Sequence, residues 1–461
     1  MCYTYIKIIG TVLLKHYKVR KMIKKIFVDY GIPVGDMKPM HACGAGPKQG
    51  GKYLSFDATE EFKDIGIPCC RLHDIEGAYS MMQFVDVHNI FQDFDADVDD
   101  PAAYNFEPTD EYLRAIKEAG AEIFYRLGSS IEHFKKKMFI FPPKDYLKFA
   151  KICEHIIRHY NYGWNNGQYW EIKYWEIWNE PESAGMWQGS REEFYEFYRV
   201  VANHLKKCFP ELKIGGYSAV GFYTETRENV TNPWFKTIVP TLNGFMRYIT
   251  AEETKAPLDF FSWHCYAERP EEVKLAAEFV RKYFDDYGFN HIESFLTEYN
   301  TFDSLSVCPA IIPYYGAEVA ATLIEAQNSP LDMLFYYDLR LAPMNGVFTR
   351  ARDYYSAEKL HGYYALKAFG DLYRLKTQYK TSESDKEVYV LAAADGDKQG
   401  VMLAVRDFQG EVSLKIENRA ERYAVYESTY EDVEFKEIAF SDDRELTFNV
   451  KKDSIYYLCS K

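Results

Sequence analysis

Two stretches of the sequence each end an apolar run with a carboxylate. Trp175 to Glu182 reads WEIWNEPE, in which a predicted buried strand is followed by Asn179 and Glu180 before a proline ends the run. Ser294 to Asn300 reads SFLTEYN and places Glu298 at the same kind of boundary. A charged group at the end of an apolar strand needs a partner, and either Glu alone could be explained by a salt bridge to a neighbouring loop. Together they can supply a general acid and a nucleophile or base.

Such a pair suits the cleavage of a glycosidic bond. One carboxyl group protonates the departing oxygen, and the other attacks the anomeric carbon or activates water. The two groups have to meet in space although they are far apart in sequence. A parallel barrel satisfies this condition, because the C-terminal ends of all its strands lie on one face.

Other acids near these motifs are weaker candidates for the same chemistry. Glu176 lies deeper in the strand that ends at Glu180, and Glu182 lies beyond the proline. Glu293 lies at the start of its strand, on the face where barrel enzymes do not perform catalysis. Glu132 follows another predicted strand on the functional face, but it lacks comparable partner residues, so we expect at most a role in a substrate subsite.

The elements that position these residues alternate between strand and helix. Alternation at this spacing predicts parallel βα units, and eight strands predict a (β/α)8 TIM barrel, of fold class α/β, over residues 22–370. The predicted barrel strands are His41–Pro47, Ile67–Asp74, Ala121–Leu127, Trp175–Trp178, Lys213–Ser218, Leu258–His264, Ser294–Glu298 and Asp332–Tyr337.

The pattern changes near residue 371. Short strands separated by turns follow, two of them marked by Asp395-Gly396 and Gln409-Gly410, and no amphipathic helix lies between them. This predicts an antiparallel β-sandwich over residues 371–461 that packs on the barrel. A separate sugar-binding module is the alternative interpretation of this domain.

Composition excludes several function classes. The chain has 461 residues and a formal net charge of −14, which argues against binding to nucleic acid or to an anionic membrane. Nine cysteines, with Cys69 and Cys70 adjacent, do not indicate a disulfide framework in a chain of this length and favour a reducing compartment or isolated free thiols. CxxC pairs and HExxH spacing are missing from the sequence, so we expect neither a metal nor a cofactor.

The N-terminal segment, residues 1–21, is a tail of uncertain status. Its apolar run, Ile8 to Leu14, is too short to span a membrane, and basic residues rather than a small-residue cleavage site follow it. Met22 is therefore a plausible start. We expect a cytoplasmic rather than a periplasmic or secreted location and no membrane-spanning segment, and the sequence leaves a homo-oligomer open.

Four motifs, in this order, make the chain resemble a known family. They are RLHDIEG (Arg71 to Gly77), IWNEPE (Ile177 to Glu182), SWHCY (Ser262 to Tyr266) and LTEYN (Leu296 to Asn300). The chain resembles clan A of the glycoside hydrolases, and within it family 39, the β-xylosidase and α-L-iduronidase family. The resemblance covers roughly residues 35–370 and implies that residues 22–34 pair with the β-domain.

The resemblance implies roles for the two carboxylates. Glu180 would be the acid/base and Glu298 the nucleophile, which means retention of the anomeric configuration. The carboxyl groups of retaining enzymes lie about 5–5.5 Å apart. Glu180 then needs a raised pKa, from an apolar wall or from the other carboxylate, whereas Glu298 needs hydrogen-bond donors that keep it ionised. The expected donors to Glu298 are Arg71, His264 and Tyr266.

Further residues are expected to bind the sugar. Asn179 would hold the hydroxyl group next to the anomeric carbon, where a hydrogen bond can strengthen in the transition state. Arg340 could grip the carboxylate of a uronic acid. The full set of expected substrate-binding residues is Asn179, His73, Asp74, Arg71, His264, Tyr266, Tyr337 and Arg340.

The expected function is hydrolysis of O-glycosyl bonds. The resemblance implies release of a non-reducing-end residue from plant-type or other oligosaccharides and polysaccharides, with β-xylosidase-like specificity. Iduronidase-like, arabinopyranosidase and galactosidase specificities remain open on the same machinery. The alternative of another class is a carbohydrate-binding protein without catalysis, since a fold does not imply an activity.

Overall fold

The computed structural model describes residues 23–49, 56–74, 84–132, 135–339, 346–348, 358–420 and 422–461. The N-terminal tail, the end of the RLHDIEG motif and Arg340 therefore lie outside the described residues. The strands before residue 340 are β1 (Ile23–Asp36), β2 (Ala42–Gly44), β3 (Lys48–Gln49), β4 (Phe56–Asp57), β5 (Cys69–Arg71), β6 (Glu122–Leu127), β7 (Tyr174–Ile177), β8 (Lys213–Ala219), β9 (Phe260–Ala267), β10 (Glu293–Thr301) and β11 (Met333–Tyr336).

Eight of these strands close into the predicted barrel. Their order around it is β2, β5, β6, β7, β8, β9, β10 and β11, with β11 pairing back to β2. Every neighbouring pair is parallel. The barrel therefore confirms the predicted fold class, and each predicted barrel strand overlaps an observed one. The strands β3 and β4 form a small separate hairpin.

Helices surround the barrel and connect its strands. Asp145 is the N-cap residue of the helix Tyr146–Tyr162, and Ser190 is that of the helix Arg191–Cys208, where it forms a capping box with Glu193. These caps fix where the chain leaves each loop. The helices are α1 (Thr59–Ile65), α2 (Val87–Ile90), α3 (Glu107–Glu118), α4 (Tyr146–Tyr162), α5 (Arg191–Cys208), α6 (Tyr223–Thr226), α7 (Ile238–Thr250), α8 (Glu271–Asp286), α9 (Tyr315–Gln327) and α10 (His361–Tyr373).

A cluster of aromatic side chains fills one end of the barrel interior. Phe124 packs on Phe260, Phe295 and Phe335, with ring centroids 5.2–5.6 Å apart. These rings form a small core of their own, apart from the large core between barrel and helices. Because side chains alternate along a strand, residues two and four positions further on point into the same interior. The aromatic cluster is thus the floor beneath the polar residues at the C-terminal end.

The C-terminal strands form a second sheet. The strands are β12 (Thr377–Thr381), β13 (Val388–Asp395), β14 (Lys398–Val405), β15 (Gly410–Glu417), β16 (Tyr423–Ser428), β17 (Lys436–Ser441), β18 (Glu445–Val450) and β19 (Ser454–Ser460). Together with β1 they pair in the order β17, β16, β19, β14, β13, β12, β1, β15 and β18, and all neighbours are antiparallel except β1 and β15. Residues from strands near both edges share one core, which means that the sheet folds over on itself.

The sheet packs on the barrel through its outer face. Tyr389, Leu391 and Met402 belong to the same core as the helices of the barrel, whereas Val390 and Leu403 face the interior of the sheet. The strand β1 lies inside the sheet, between β12 and β15. Among the described residues, helices of the length and apolarity needed to cross a membrane are not found.

Candidate active site

Arg71 lies at the centre of the polar network above the aromatic floor. It follows Cys69, a residue of the floor cluster, by two positions on β5, so its side chain points into the barrel, where it is 1% exposed. Its Nε donates to Glu176 at 2.7 Å, and one terminal nitrogen donates to Glu298 at 2.9 Å. The other terminal nitrogen donates to Asn179 at 2.7 Å and to Ser218 at 2.8 Å.

Glu298 reaches this network through an irregularity in its strand. Phe295 points to the floor, and a strictly alternating strand would turn residue 298 away from the interior. The pairing of β10 with β9 slips between Leu296 and Glu298, which returns Glu298 to the interior. Its Oε1 accepts from Arg71, and its Oε2 lies 3.3 Å from the hydroxyl of Tyr266. Burial raises the pKa of Glu298, and the charge of Arg71 opposes that shift.

Glu180 lies directly beyond β7 and hydrogen bonds to His264. Its Oε1 is 2.7 Å from Nδ1 of His264, and its side chain is 22% exposed, the most open of this group. Burial raises the pKa of Glu180 to about 7, and the charge of Arg71 opposes the shift. Burial also lowers the pKa of His264 to about 4, so that this imidazole is neutral at pH 7.

Strained backbone fixes the position of Glu180. Trp178, Glu180 and Ser218 have positive φ angles of 69°, 41° and 52°, which cost non-glycine residues about 1–3 kcal/mol each. The amide of Glu180 donates to the carbonyl of Ser218 at 3.0 Å. Ser218 lies where the pairing of β8 with β9 is irregular, between Gly216 and Ala219. This bulge therefore holds the loop that carries Glu180.

The two carboxylates approach each other closely. One oxygen of Glu180, one oxygen of Glu298 and a ring nitrogen of His264 all lie within 4.8 Å of one another. The carboxyl groups of inverting glycosidases are about 6.5–9.5 Å apart, whereas those of retaining enzymes are about 5–5.5 Å apart. An approach of two oxygens to within 4.8 Å favours the retaining arrangement over the inverting one.

Most of the predicted binding residues surround the pair. Nε2 of His73 lies 3.7 Å from Glu298 and 3.6 Å from Asp74. Asp74 accepts from the amide of Ile131 at 2.9 Å and from the hydroxyl of Tyr337 at 3.2 Å. His73, Asp74, Tyr337 and Asn179 are buried and Tyr266 is partly buried, and all lie on the C-terminal side of the barrel. Arg340 cannot be placed, because it lies outside the described residues.

His264 differs from its predicted role. It was expected to donate to Glu298, but its Nδ1 is 3.5 Å from Glu298 and 2.7 Å from Glu180. His264 is thus chiefly the partner of Glu180. The sequence leaves open whether an apolar wall or the other carboxylate raises the pKa of Glu180. In the structure, burial is the largest cause.

Two functional neighbours were missed from the sequence. Ser218 contacts Arg71, Asn179 and His264, and its inward direction depends on a bulge that no local motif predicts. The sequence sets Glu176 apart from catalysis but does not predict its ion pair with Arg71. Glu176 lies two residues after Tyr174, which packs against the floor cluster, and this spacing indicates that its side chain points into the barrel.

Two of the other discounted acids, Glu132 and Glu293, have structural partners in the described residues. Glu132 accepts hydrogen bonds from the backbone amides of Met138 and Phe139, both at 2.9 Å, so it orders its own loop. Glu293 accepts from the hydroxyl of Tyr174 at 2.7 Å, at the opposite end of the barrel. Neither side chain is placed to act with Glu180.

Comparison with known proteins agrees with this geometry. A β-xylosidase from Geobacillus stearothermophilus is 25% identical over 257 residues, which cover 50% of this chain and 45% of that protein. A β-xylosidase from Caldicellulosiruptor saccharolyticus is 25% identical over 349 residues, which cover 69% of this chain and 64% of that protein. The chain thus spans less than two thirds of the length of each of these curated relatives.

A solved structure has the same fold. A glucosidase from Croceicoccus marinus superposes with a TM-score of 0.76 at 21% identity, covering 95% of this chain and 99% of that one. Fold and site together define a TIM barrel with a carboxylate pair at its C-terminal mouth. The model of glycosyl hydrolases family 39 matches residues 79–369, more than half of the chain, and the chain belongs to that family. The resemblance seen in the four sequence motifs is thereby confirmed.

Proposed function

We propose that this protein is a retaining glycosidase that removes a β-xylosyl-type residue from the non-reducing end of an oligosaccharide or polysaccharide. The observation that carries the proposal is the approach of Glu180 and Glu298 to within 4.8 Å at the mouth of the barrel. In this proposal Glu180 is the acid/base and Glu298 is the nucleophile.

The proton of the pair is best placed on Glu180. Burial raises the pKa of both carboxyl groups, but only Glu298 accepts a hydrogen bond from the Arg71 guanidinium, at 2.9 Å. A charge-assisted hydrogen bond favours the ionised form of its acceptor. Glu180 instead faces a neutral imidazole, His264, at 2.7 Å. This arrangement favours the ionised form of Glu298 beside the protonated form of Glu180.

The neutral imidazole can orient this acid. A neutral histidine carries one N–H, so one ring nitrogen donates and the other accepts. If Ser218 donates to Nε2 of His264, at 2.8 Å, then Nδ1–H donates to Oε1 of Glu180. Oε2 of Glu180 then carries the proton that is transferred. Arg71 supports this arrangement, because it donates to the Ser218 oxygen and leaves the serine hydroxyl proton for His264.

The first chemical step follows from these positions. Glu180 gives its proton to the glycosidic oxygen as the bond from that oxygen to the anomeric carbon breaks. Glu298 attacks the anomeric carbon from the opposite face and forms a glycosyl ester. The oxygen of Asn179 accepts a hydrogen bond from Arg71, which leaves its amide NH2 to donate to the neighbouring sugar hydroxyl.

In the second step the roles reverse. Departure of the leaving group admits water to the pocket, and because burial is what raises the pKa of Glu180, renewed hydration lowers it. Glu180, now ionised, removes a proton from water, which attacks the ester and releases the sugar with its original configuration.

The xylosyl specificity is supported by the relatives. Two curated proteins that match this chain are β-xylosidases, each 25% identical over the matched region. The geometry of the carboxylates is common to many sugars, so the structure itself favours the reaction rather than one substrate.

A panel of aryl glycosides tests the proposal. Release of nitrophenol is measured from the β-xyloside, α-arabinopyranoside, β-galactoside, β-glucoside and α-iduronide. We expect the native protein to cleave the β-xyloside fastest and Glu298→Gln to lose about a thousandfold or more. Glu293→Gln, a carboxylate at the other end of the barrel, is the matched control and keeps its activity. Equal rates for the native protein and Glu298→Gln would refute the assignment, and binding of xylo-oligosaccharides without turnover would favour a carbohydrate-binding protein.

A further inference from the structure

Outside the barrel lies a cluster of three side chains of the types that bind metal ions. Among the described residues, ligand atoms of Glu154, His204 and Cys208 lie within 4.8 Å of one another. Glu154 is on α4, and the other two are on α5, one helical turn apart. None of the three contacts the carboxylate pair, so the proposed glycosidase reaction does not explain their convergence.

The distances are close to those of a metal centre. Nε2 of His204 is 2.7 Å from Oε2 of Glu154 and 3.9 Å from Sγ of Cys208. Bond lengths of about 2.0–2.3 Å place the ligands of a tetrahedral zinc ion about 3.3–3.6 Å apart. Shifts of about 1 Å or less, within reach of side-chain rotation, would bring all three atoms to that spacing.

The surroundings favour a cation between the two helices. Arg158 donates to Oε1 of Glu154 at 2.8 Å, which orients the carboxylate and leaves Oε2 facing His204. Cys208 is the last residue of α5, where the helix dipole favours positive charge. The side chains of Glu154 and His204 are 15% and 16% exposed, which shields the site but leaves a path for an ion and a water molecule.

A simple ion pair explains only part of the arrangement. It accounts for the contact between His204 and Glu154, but not for a thiol directed at the same point from the next helical turn. Carboxylate, imidazole and thiolate together are the ligand set of zinc-type ions. We propose that Glu154, His204 and Cys208 bind one divalent transition-metal ion of the zinc type, with water as fourth ligand, and so clamp α4 to α5.

Cobalt(II) titration of the full-length protein, after treatment with a chelator, tests this site. We expect a thiolate-to-cobalt charge-transfer band that saturates at one equivalent and disappears when zinc is added. Cys208→Ser should lose this band, and His204→Ala should lose saturable binding. Cys308→Ser, which removes a different partly buried thiol, is the matched control and should behave as the native protein does.

Thermal melting provides a second readout that does not depend on glycosidase activity. An ion that binds the folded state alone raises the melting temperature in proportion to the logarithm of its concentration. Zinc should therefore raise the melting temperature of the native protein and of Cys308→Ser, but not that of Cys208→Ser or Glu154→Gln. Absence of a saturable band in the native protein, or an equal band in Cys208→Ser, would overturn the proposal, whatever the outcome of the glycoside panel.

Discussion

At the scale of single residues, Glu180 sets the pH dependence of the proposed reaction. Its active form is protonated, and burial raises its pKa to about 7. We therefore expect kcat/KM to fall about tenfold for each pH unit above this pKa, as Glu180 loses its proton. Glu180→Gln, assayed on an aryl glycoside whose leaving group needs no protonation, should lack this alkaline limb. The same limb in the variant would assign the titration to another group.

Ser218 acts through its neighbours and not on the substrate. Ser218→Ala removes a hydrogen-bond partner from Arg71, Asn179 and His264 in a buried site. We expect a loss of about tenfold in kcat/KM, from about 1–2 kcal/mol of lost transition-state stabilisation, together with a shifted alkaline limb in the pH profile.

A second buried serine controls for the loss of a hydroxyl group. Ser294, near the start of β10, accepts from the Trp263 indole and is remote from the carboxylate pair. Ser294→Ala should leave the pH profile unchanged. Equal effects of both substitutions would mean that Ser218 has only a structural role.

At the scale of elements, the barrel strands carry the site on a rigid floor. Phe295→Ala would leave a cavity among the rings of Phe124, Phe260 and Tyr174. Truncation of a buried phenylalanine costs about 3–5 kcal/mol, and we expect that loss in the free energy of unfolding measured with denaturant. Phe302→Ala, at a side chain that is 46% exposed, should cost far less. A small effect for Phe295→Ala would show that the floor is not tightly packed.

The same elements show what the sequence could predict. Apolar runs that stop at a polar residue located Glu180 beyond the end of β7 and Glu298 within β10, which continues to Thr301. The irregular pairing in β8 and β10 could not be predicted, because it depends on contacts with neighbouring strands. For that reason the sequence reveals neither the contacts of Ser218 nor the closer approach of His264 to Glu180 than to Glu298.

At the scale of the whole molecule, the barrel and the second sheet share one core. Tyr389, Leu391 and Met402 of the sheet pack with the helices of the barrel. We therefore expect Leu403→Ala, inside the sheet, to lower the melting temperature of the barrel as well. All seven tryptophans lie between Trp164 and Trp263, so their fluorescence reports on the barrel alone. If Leu403→Ala kept the native melting temperature by tryptophan fluorescence but had a lowered one by circular dichroism, the barrel and the second sheet would unfold independently.

The sheet was predicted less completely than the barrel. Strands with continuous apolar residues, such as β13, β14 and β19, were predicted, because burial on both faces gives a strong signal. The edge strand β17 is exposed over most of its length, and β12 reads TQYKT without an apolar run, so neither gives the signal of a buried strand. The position of β1 within the sheet followed from the family resemblance and not from its own residues.

Trapping the covalent intermediate tests the central claim most directly. The 2-deoxy-2-fluoro derivative of the sugar that the protein cleaves, with a good leaving group, should form a long-lived glycosyl ester. Mass spectrometry of the intact protein and of its peptides is predicted to show one added sugar on Glu298, and no label on Glu298→Gln. A label on another residue, or an active enzyme whose first product has the inverted configuration, would contradict the proposed mechanism.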